Sequence, residues 1–286
     1  MRNINTTIGV VGHGFVGGAV AKGFELFSEV KIYDVVPEKS THSFEEVVNC
    51  DFVFIALPTP MVSAEGGEAN LSIMKSFFEK VAPFAQQNKT IYVIKSTVPV
   101  GTTRMLSKKY GIKRLLHNPE FLRERSAIED FFNPSRNVIG GDDKESVEKM
   151  AVLLTTRFPG VPCYLMSPSD SEMVKYMANS FLGTKIIFFN EMKLLAEAAN
   201  LNWDMVVKGV TSDERIGKSC SQVPGVDGDR AFGGTCIPKD LNALIATMES
   251  FKIDPLLLKA VWQQNKKLRN NWDWAKNPSA VQKDKI

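Results

Sequence analysis

Over the first 166 residues, short apolar runs alternate with stretches whose apolar positions recur every three or four residues. The runs IGVVG, KIYDV, DFVFIAL, TIYVIKS and RLLHN have the length and β-branched content of buried strands. Between them, residues 15–27, 43–49, 70–86 and 101–110 carry helical spacing. RNVIGG and PCYLM add two strands, with a helix near 143–157 between them. Strand and helix in alternation predict a parallel sheet covered by helices.

The pattern changes at Ser167. For some thirty residues after Pro168 there is no proline and a single glycine, Gly183, so one long helix with a Ser/Asp start is predicted. WDMVVKGVTSD is a shorter helix, and GKSCSQVPGVDGDRAFGG, rich in Gly, Ser and Pro, is a loop. PKDLNALIATMES and PLLLKAVWQQNKKLRNNWDWAK are helical again. The predicted class is α/β: a Rossmann-type parallel-sheet domain over residues 1–166, then an all-helical central or dimerisation domain over 167–275. Residues 276–286 read as a flexible polar tail. Leu257, Leu258, Val261, Leu268 and Trp272, partly at helical spacing, mark 255–274 as the expected dimer face.

Composition narrows the function classes. Of 286 residues, 44% are hydrophobic and 23% charged, ordinary for a globular protein. A formal net charge of +3 argues for neither nucleic acid nor an anionic membrane as partner. MRNINTTIGVVGHG reads as a first strand rather than a signal peptide, and no apolar run has the length of a membrane span. Cys50, Cys163, Cys220 and Cys236 form no CxxC pair, and His13, His42 and His117 are scattered. No metal site or disulfide framework is expected, and a cytoplasmic location is the simplest.

Five stretches carry candidate chemistry. Gly12-His13-Gly14-Phe15-Val16-Gly17 follows a strand and opens a helix, and Asp34 closes the second strand. Such glycines bring a pyrophosphate onto backbone N–H groups, and the acid binds the adenosine ribose. No arginine follows Asp34, so NAD is favoured over NADP. The hydroxyls of STVPVGTT (Ser96–Thr103) either reach a ligand or cap the next helix. Glu120, in NPEFLRE beyond another strand, is a base or water-orienting group, or a solvated loop carboxylate. Lys175 and Asn179 lie four apart on one helix face, suited to an oxyanion, although a surface lysine is the plain alternative. Cys236 lies behind Gly233 and Gly234, which let another molecule approach the backbone, and ahead of Pro238. The dipole of a helix starting there and Lys239 favour thiolate, and Asp240 could handle a proton. Local chemistry leaves open whether Cys236 is a nucleophile or an inert small hydrophobe.

Together the stretches GHGFVG, LPTP, STVPVGTT, NPEFLRE, EMVKYMANSFLGTKIIFFNE and FGGTCIPKD resemble the UDP-glucose/GDP-mannose dehydrogenase family, in its order, from Gly12 to about Asp240. The resemblance implies a four-electron oxidation of a nucleotide-sugar C6 alcohol to the uronic acid, with NAD as oxidant. Cys236 would form the thiohemiacetal and thioester, Lys175 and Asn179 would hold the oxyanion, and Asp240 would take the proton. Glu120 and Thr97 would position water and cofactor, and Lys239, Pro58 and Thr59 would contact NAD with the glycine turn. Phe121, Leu122, Arg123, Glu124, Arg230, Phe232 and Gly233 would line the sugar site. The family continues into a second Rossmann-like domain after the central helices. The resemblance therefore implies a short homodimeric form, with a separate chain as a possible source of that domain. Arg125 stands where many members have glycine. Two other readings remain: a two-electron hydroxyacid dehydrogenase, which would not need Cys236, and a non-catalytic nucleotide-binding subunit.

Overall fold

A computed structural model of the chain describes residues 6–282. They divide into two compact units: Met1–Thr59 with Leu71–Lys175, and Pro60–Asn70 with Tyr176–Ile286. This differs from the expected boundary at 166 in two ways. The division falls inside the long helix, and an eleven-residue excursion from the first half belongs to the second unit.

The first unit opens with β1 (Thr7–Val11), α1 (Phe15–Phe24), β2 (Glu29–Tyr33), α2 (Phe44–Val48) and β3 (Phe52–Ile55). The excursion then contributes β4 (Met61–Ser63) and β5 (Gly66–Ala69) to the second unit. The first unit resumes with α3 (Ser72–Ala85), β6 (Ile91–Ile94), α4 (Thr102–Tyr110), β7 (Leu115–His117) and α5 (Ala127–Phe132). It closes with β8 (Asn137–Gly140), α6 (Lys144–Arg157), β9 (Cys163–Met166) and the start of α7 (Pro168–Ala198). The seven strands lie in the order β2-β1-β3-β6-β7-β8-β9. All pairs are parallel except β7 with β8. The expected parallel sheet is thus present, with one antiparallel step between β7 and β8. The chain from β7 to β8 passes through α5, which the sequence pattern does not separate from a loop.

Alternation with period two explains why this sheet is covered on both faces. Ile8, Val10, Phe52, Phe54, Ile91 and Val93 enter one core cluster. Val11, Val53, Ile55, Tyr92 and Ile94 enter the other. Helix starts follow local chemistry. Ser43 and Glu46 form a reciprocal capping box on α2, and Asp143 accepts the Ser146 N–H at 3.1 Å to cap α6.

The second unit holds the rest of α7, α8 (Trp203–Thr211), α9 (Cys236–Ser250) and α10 (Leu256–Leu268). Residues 167–275 carry helices and no strand, as expected, and the excursion adds β4 and β5 to them as an antiparallel hairpin. Gly66, at φ +127°, has no room for a Cβ, which would lie 2.4 Å from Asn242 Oδ1. The core of this unit gathers Met61, Ile187, Phe232, Leu241, Val261, Trp262 and Trp274. Gly183 lets Ile237 and Phe232 approach α7, where a Cβ would lie 2.9 Å from the Ile237 methyl.

Two further expectations are corrected here. The helix predicted to run through Lys276 ends at Leu268, since Asp229 takes the Asn270 and Asn271 N–H groups at 3.1 and 2.9 Å. The segment 276–282 of the expected flexible tail is packed: Ala280 and Val281 are buried, and Val281 bridges to Met61. Residues 283–286 of that tail lie outside the described residues.

Candidate active site

The glycine turn sits where the strand order reverses, beyond β1 and next to β3, the place where open α/β sheets bind ligands. Its three glycines serve different ends. Gly12 has φ +88°, and a Cβ there would lie 2.5 Å from the Ala56 carbonyl oxygen. A Cβ on Gly17 would lie 1.8 Å from the Gly12 oxygen, so α1 can approach β1 only with glycine there. Gly14 is the N-cap of α1; a Cβ would meet nothing within 4 Å, and no side chain caps the helix. Half-buried Phe15 and Val16 form the first turn. Asp34, just after β2, accepts the His13 N–H at 2.7 Å and the Val36 N–H at 2.9 Å. Open space over an uncapped helix start, with a carboxylate beside it, fits a dinucleotide: diphosphate on the helix and ribose hydroxyls on Asp34. Pro58 and Thr59 follow β3, and the Thr59 hydroxyl donates to the Thr97 carbonyl at 2.7 Å.

Beyond β6 and β7 lies a buried charged cluster. Lys175 Nζ is 2.8 Å from Glu120 Oε1, with side chains 3% and 6% exposed. The Leu122 N–H donates to Glu120 Oε2 at 2.6 Å, and the Lys175 ammonium lies over the Phe121 ring. Glu120 is therefore a buried, ion-paired acid, not a solvated one. Lys95, which the sequence reading had not singled out, donates to Asn118 Oδ1 at 2.8 Å. Burial pushes its pKa down to about 7; Glu120 acts to raise it and Lys175 to lower it further. It lies in the strand end TIYVIKS, where a lysine in an apolar run was the available signal.

The hydroxyls of Ser96–Thr103 do not cap the next helix. The start of α4 is capped by Glu172 of α7, which accepts the Gly101 and Thr103 N–H groups at 2.5 and 2.7 Å and the Thr103 hydroxyl at 2.6 Å. Burial holds the Glu172 pKa above the usual carboxylate range despite these donors. Arg123 is exposed and is engaged by Asp130 at 2.5 Å. The Arg123 side-chain hydrogen bond leads the groups that hold the Asp130 carboxyl down at about 2. Leu122 is half-buried against the sheet core, and Glu124 opens an exposed 3-10 turn.

In the second unit, Cys236 is the first residue of α9, with Thr235 as N-cap, and its thiol is half-buried. Asp240, one turn on, is 1% exposed. It accepts from Asn179 Nδ2 at 2.5 Å and pairs with Lys239. Three predicted site residues have partners within the chain. Phe232 is 3% exposed and belongs to the core, its ring stacked on Trp262. The chain's own Arg269 and Asp273 approach Gly233 closely, each 2.3 Å from where a Cβ would lie. Arg230 forms an ion pair with Glu197 at 2.7 Å.

The doubly covered sheet, the glycine turn at its switch point and the acid ending β2 define a dinucleotide-binding domain of the dehydrogenase type. Residues 36–156 match the NAD binding domain of the UDP-glucose/GDP-mannose dehydrogenase family, and residues 169–267 match that family's central domain. The chain belongs to this family, and its cofactor is NAD. It is 41% identical over 227 residues to a UDP-glucose 6-dehydrogenase of Rickettsia typhi, covering 76% of this chain and 50% of that protein. The chain thus spans about half the length of the curated relatives it matches. A UDP-glucose dehydrogenase structure from Pyrobaculum islandicum superposes with a TM-score of 0.80 at 33% identity, over 93% of this chain and 69% of that one. A 3-hydroxyisobutyrate dehydrogenase from Mycobacterium tuberculosis shares the fold alone, with a TM-score of 0.71 at 18% identity over 92% of this chain and 94% of that one.

Proposed function

We propose that the chain is the NAD-dependent oxidising part of a nucleotide-sugar 6-dehydrogenase, acting on a UDP-glucose-like donor through a thioester on Cys236. The observation that carries this reading is the start of α9: a half-buried thiol on the first turn, with buried Asp240 four residues on, held by Asn179 and Lys239. A hydroxyacid dehydrogenase of the same fold has no use for that thiol.

NAD supplies the hydride acceptor for each of the two oxidations. The C6 alcohol loses a hydride and a proton to give the aldehyde, and Cys236 thiolate adds to its carbonyl carbon. Loss of a second hydride, and of the hydroxyl proton, converts the thiohemiacetal to a thioester; water then cleaves the C–S bond, releasing carboxylate and thiol. Lys175 and Asn179, one turn apart on α7, are donors suited to the oxyanion. Asp240 is the proton acceptor, and Glu120 and Thr97 orient water and cofactor. Phe121, Leu122, Arg123, Glu124, Arg230, Phe232 and Gly233 line the sugar site in this reading.

The reading includes a homodimer; of the expected 255–274 face, Leu257 is exposed but most of the other named residues are covered by this chain. There, Val261 and Trp262 are buried in the chain's own core, and Leu258, Leu268 and Trp272 pack against it. Exposed Met177, Phe181, Phe188 and Leu195 instead form a stripe on α7, next in sequence to exposed Met205 and Val210 on α8. A second copy covering that apolar surface accounts for it.

The test is incubation with NAD and a panel of nucleotide sugars, with NADH counted against acid product by mass spectrometry. Two NADH per acid, and no acid from Cys236→Ala with NAD affinity retained, are expected. One NADH per product, or an active alanine variant, would overturn the thioester route.

A further inference from the structure

The loop that leads into Cys236 is held by the stretch that follows α10. Asn265 Oδ1 accepts the Phe232 N–H at 2.9 Å, and Asp273 accepts the Gly234 N–H at 3.0 Å. Asn277 Nδ2 donates to the hydroxyl of Thr235, the N-cap of α9, at 2.9 Å. Arg269 joins these contacts. Its side chain is 2% exposed, and its guanidinium lies 2.5 Å from Asp227, 3.4 Å from Asp273 and 3.8 Å from Asp229. It also donates to the Asn271 carbonyl at 3.0 Å and the Arg230 carbonyl at 3.4 Å. Its fit against the loop is close: a Cβ on Gly233 would lie 2.3 Å from Arg269 Nη2.

We propose that Arg269 is a positioning residue for the Cys236 thiol, clamping the loop from Asp227 to Thr235 and so fixing the first turn of α9. The assignment rests on the reading of Cys236 as nucleophile. A buried guanidinium is tolerable only when its donors are met, and here one planar fork spans three carboxylates and two carbonyls. A lysine at that position is a single point charge and cannot span the same set. The loop carries the backbone strain that makes such a clamp necessary. Ala231 has φ +59°, a left-handed conformation that a loosened chain would leave. A nucleophile displaced by about 1 Å loses on the order of a hundredfold in rate, so a clamp on its helix start acts on turnover.

The variants are Arg269→Lys and Asp227→Asn, the second at a side chain 46% exposed and so compatible with folding. Brief labelling with iodoacetamide is read by mass at the Cys236 peptide and at the peptide of Cys50, a buried thiol in the other unit. In both variants, labelling of Cys236 should rise at least about threefold relative to Cys50. NADH formation with UDP-glucose should lose about tenfold or more in kcat for Arg269→Lys, with the KM for NAD unchanged. Asp227→Asn should fall in between. If Cys236 labelling and kcat stay at the wild-type level, or if Cys50 and Cys236 labelling rise in step, Arg269 is structural only and the proposal fails. Should the wild-type chain give no NADH with any nucleotide sugar, the functional reading fails, while the labelling ratio still decides the clamp.

Discussion

Replacing Lys95 with methionine should stabilise the first unit at neutral pH, and the gain should vanish as pH rises. Lys95 is 6% exposed, and burial lowers its pKa from 10.5 to about 7. Below the folded value both states carry the proton and the full penalty of burying the charge applies. Between about 7 and 10.5 the unfolded chain still binds the proton while the folded one sheds it, so wild-type stability climbs with pH. At about 1.4 kcal/mol per unit, the depression costs the protonated folded state on the order of 4–5 kcal/mol. Methionine removes that cost but strands Asn118 Oδ1, which now accepts from Lys95 at 2.8 Å. An unmet buried acceptor costs about 1–3 kcal/mol. The net expectation is a variant more stable by about 2 kcal/mol near pH 7 and no more stable than wild type by about pH 9.5. Urea unfolding at a series of pH values measures this. Far-UV circular dichroism is the suitable probe, because Trp203, Trp262, Trp272 and Trp274 all lie in the second unit. A variant less stable at neutral pH, or a gain independent of pH, would refute the reasoning.

Gly17→Ala should lower stability by about 2–3 kcal/mol and abolish NAD binding, because its methyl would lie 1.8 Å from the Gly12 carbonyl oxygen; a wild-type urea midpoint counts against the packing argument. Asp34→Ala should weaken NAD and narrow its advantage over NADP, read by calorimetric titration with each dinucleotide; an unchanged ratio removes Asp34 from ribose recognition. Phe181→Glu places a charge on the exposed α7 stripe, where Phe181 is 66% exposed. Light scattering should show a monomer with an unaltered circular dichroism spectrum, and a dimer that survives places the interface elsewhere.

What could be read from the chain alone was whatever depends on neighbours in sequence. The alternation in FVFI and IYVI determines two-sided burial, and a glycine turn followed by a helix and an acid-tipped strand makes a dinucleotide site. Lys175 and Asn179 share a helix face by spacing alone. Tertiary structure decided everything set by partners far along the chain. Whether Glu120 was solvated or buried depended on Lys175, fifty-five residues away. The cap on α4 comes from Glu172, and the polar hairpin 61–69 is a strand pair because Trp262, Trp274 and Asn242 pack against it. Phe232, Gly233 and Arg230, which the family resemblance places at the sugar site, each have a partner within the chain as well. Those partners are Trp262, Arg269 and Glu197, which no local pattern connects to them. Periodicity records which face of an element is dry. The identity of the group that meets a buried charge depends on loop closure across tens of residues, and that leaves no periodic trace.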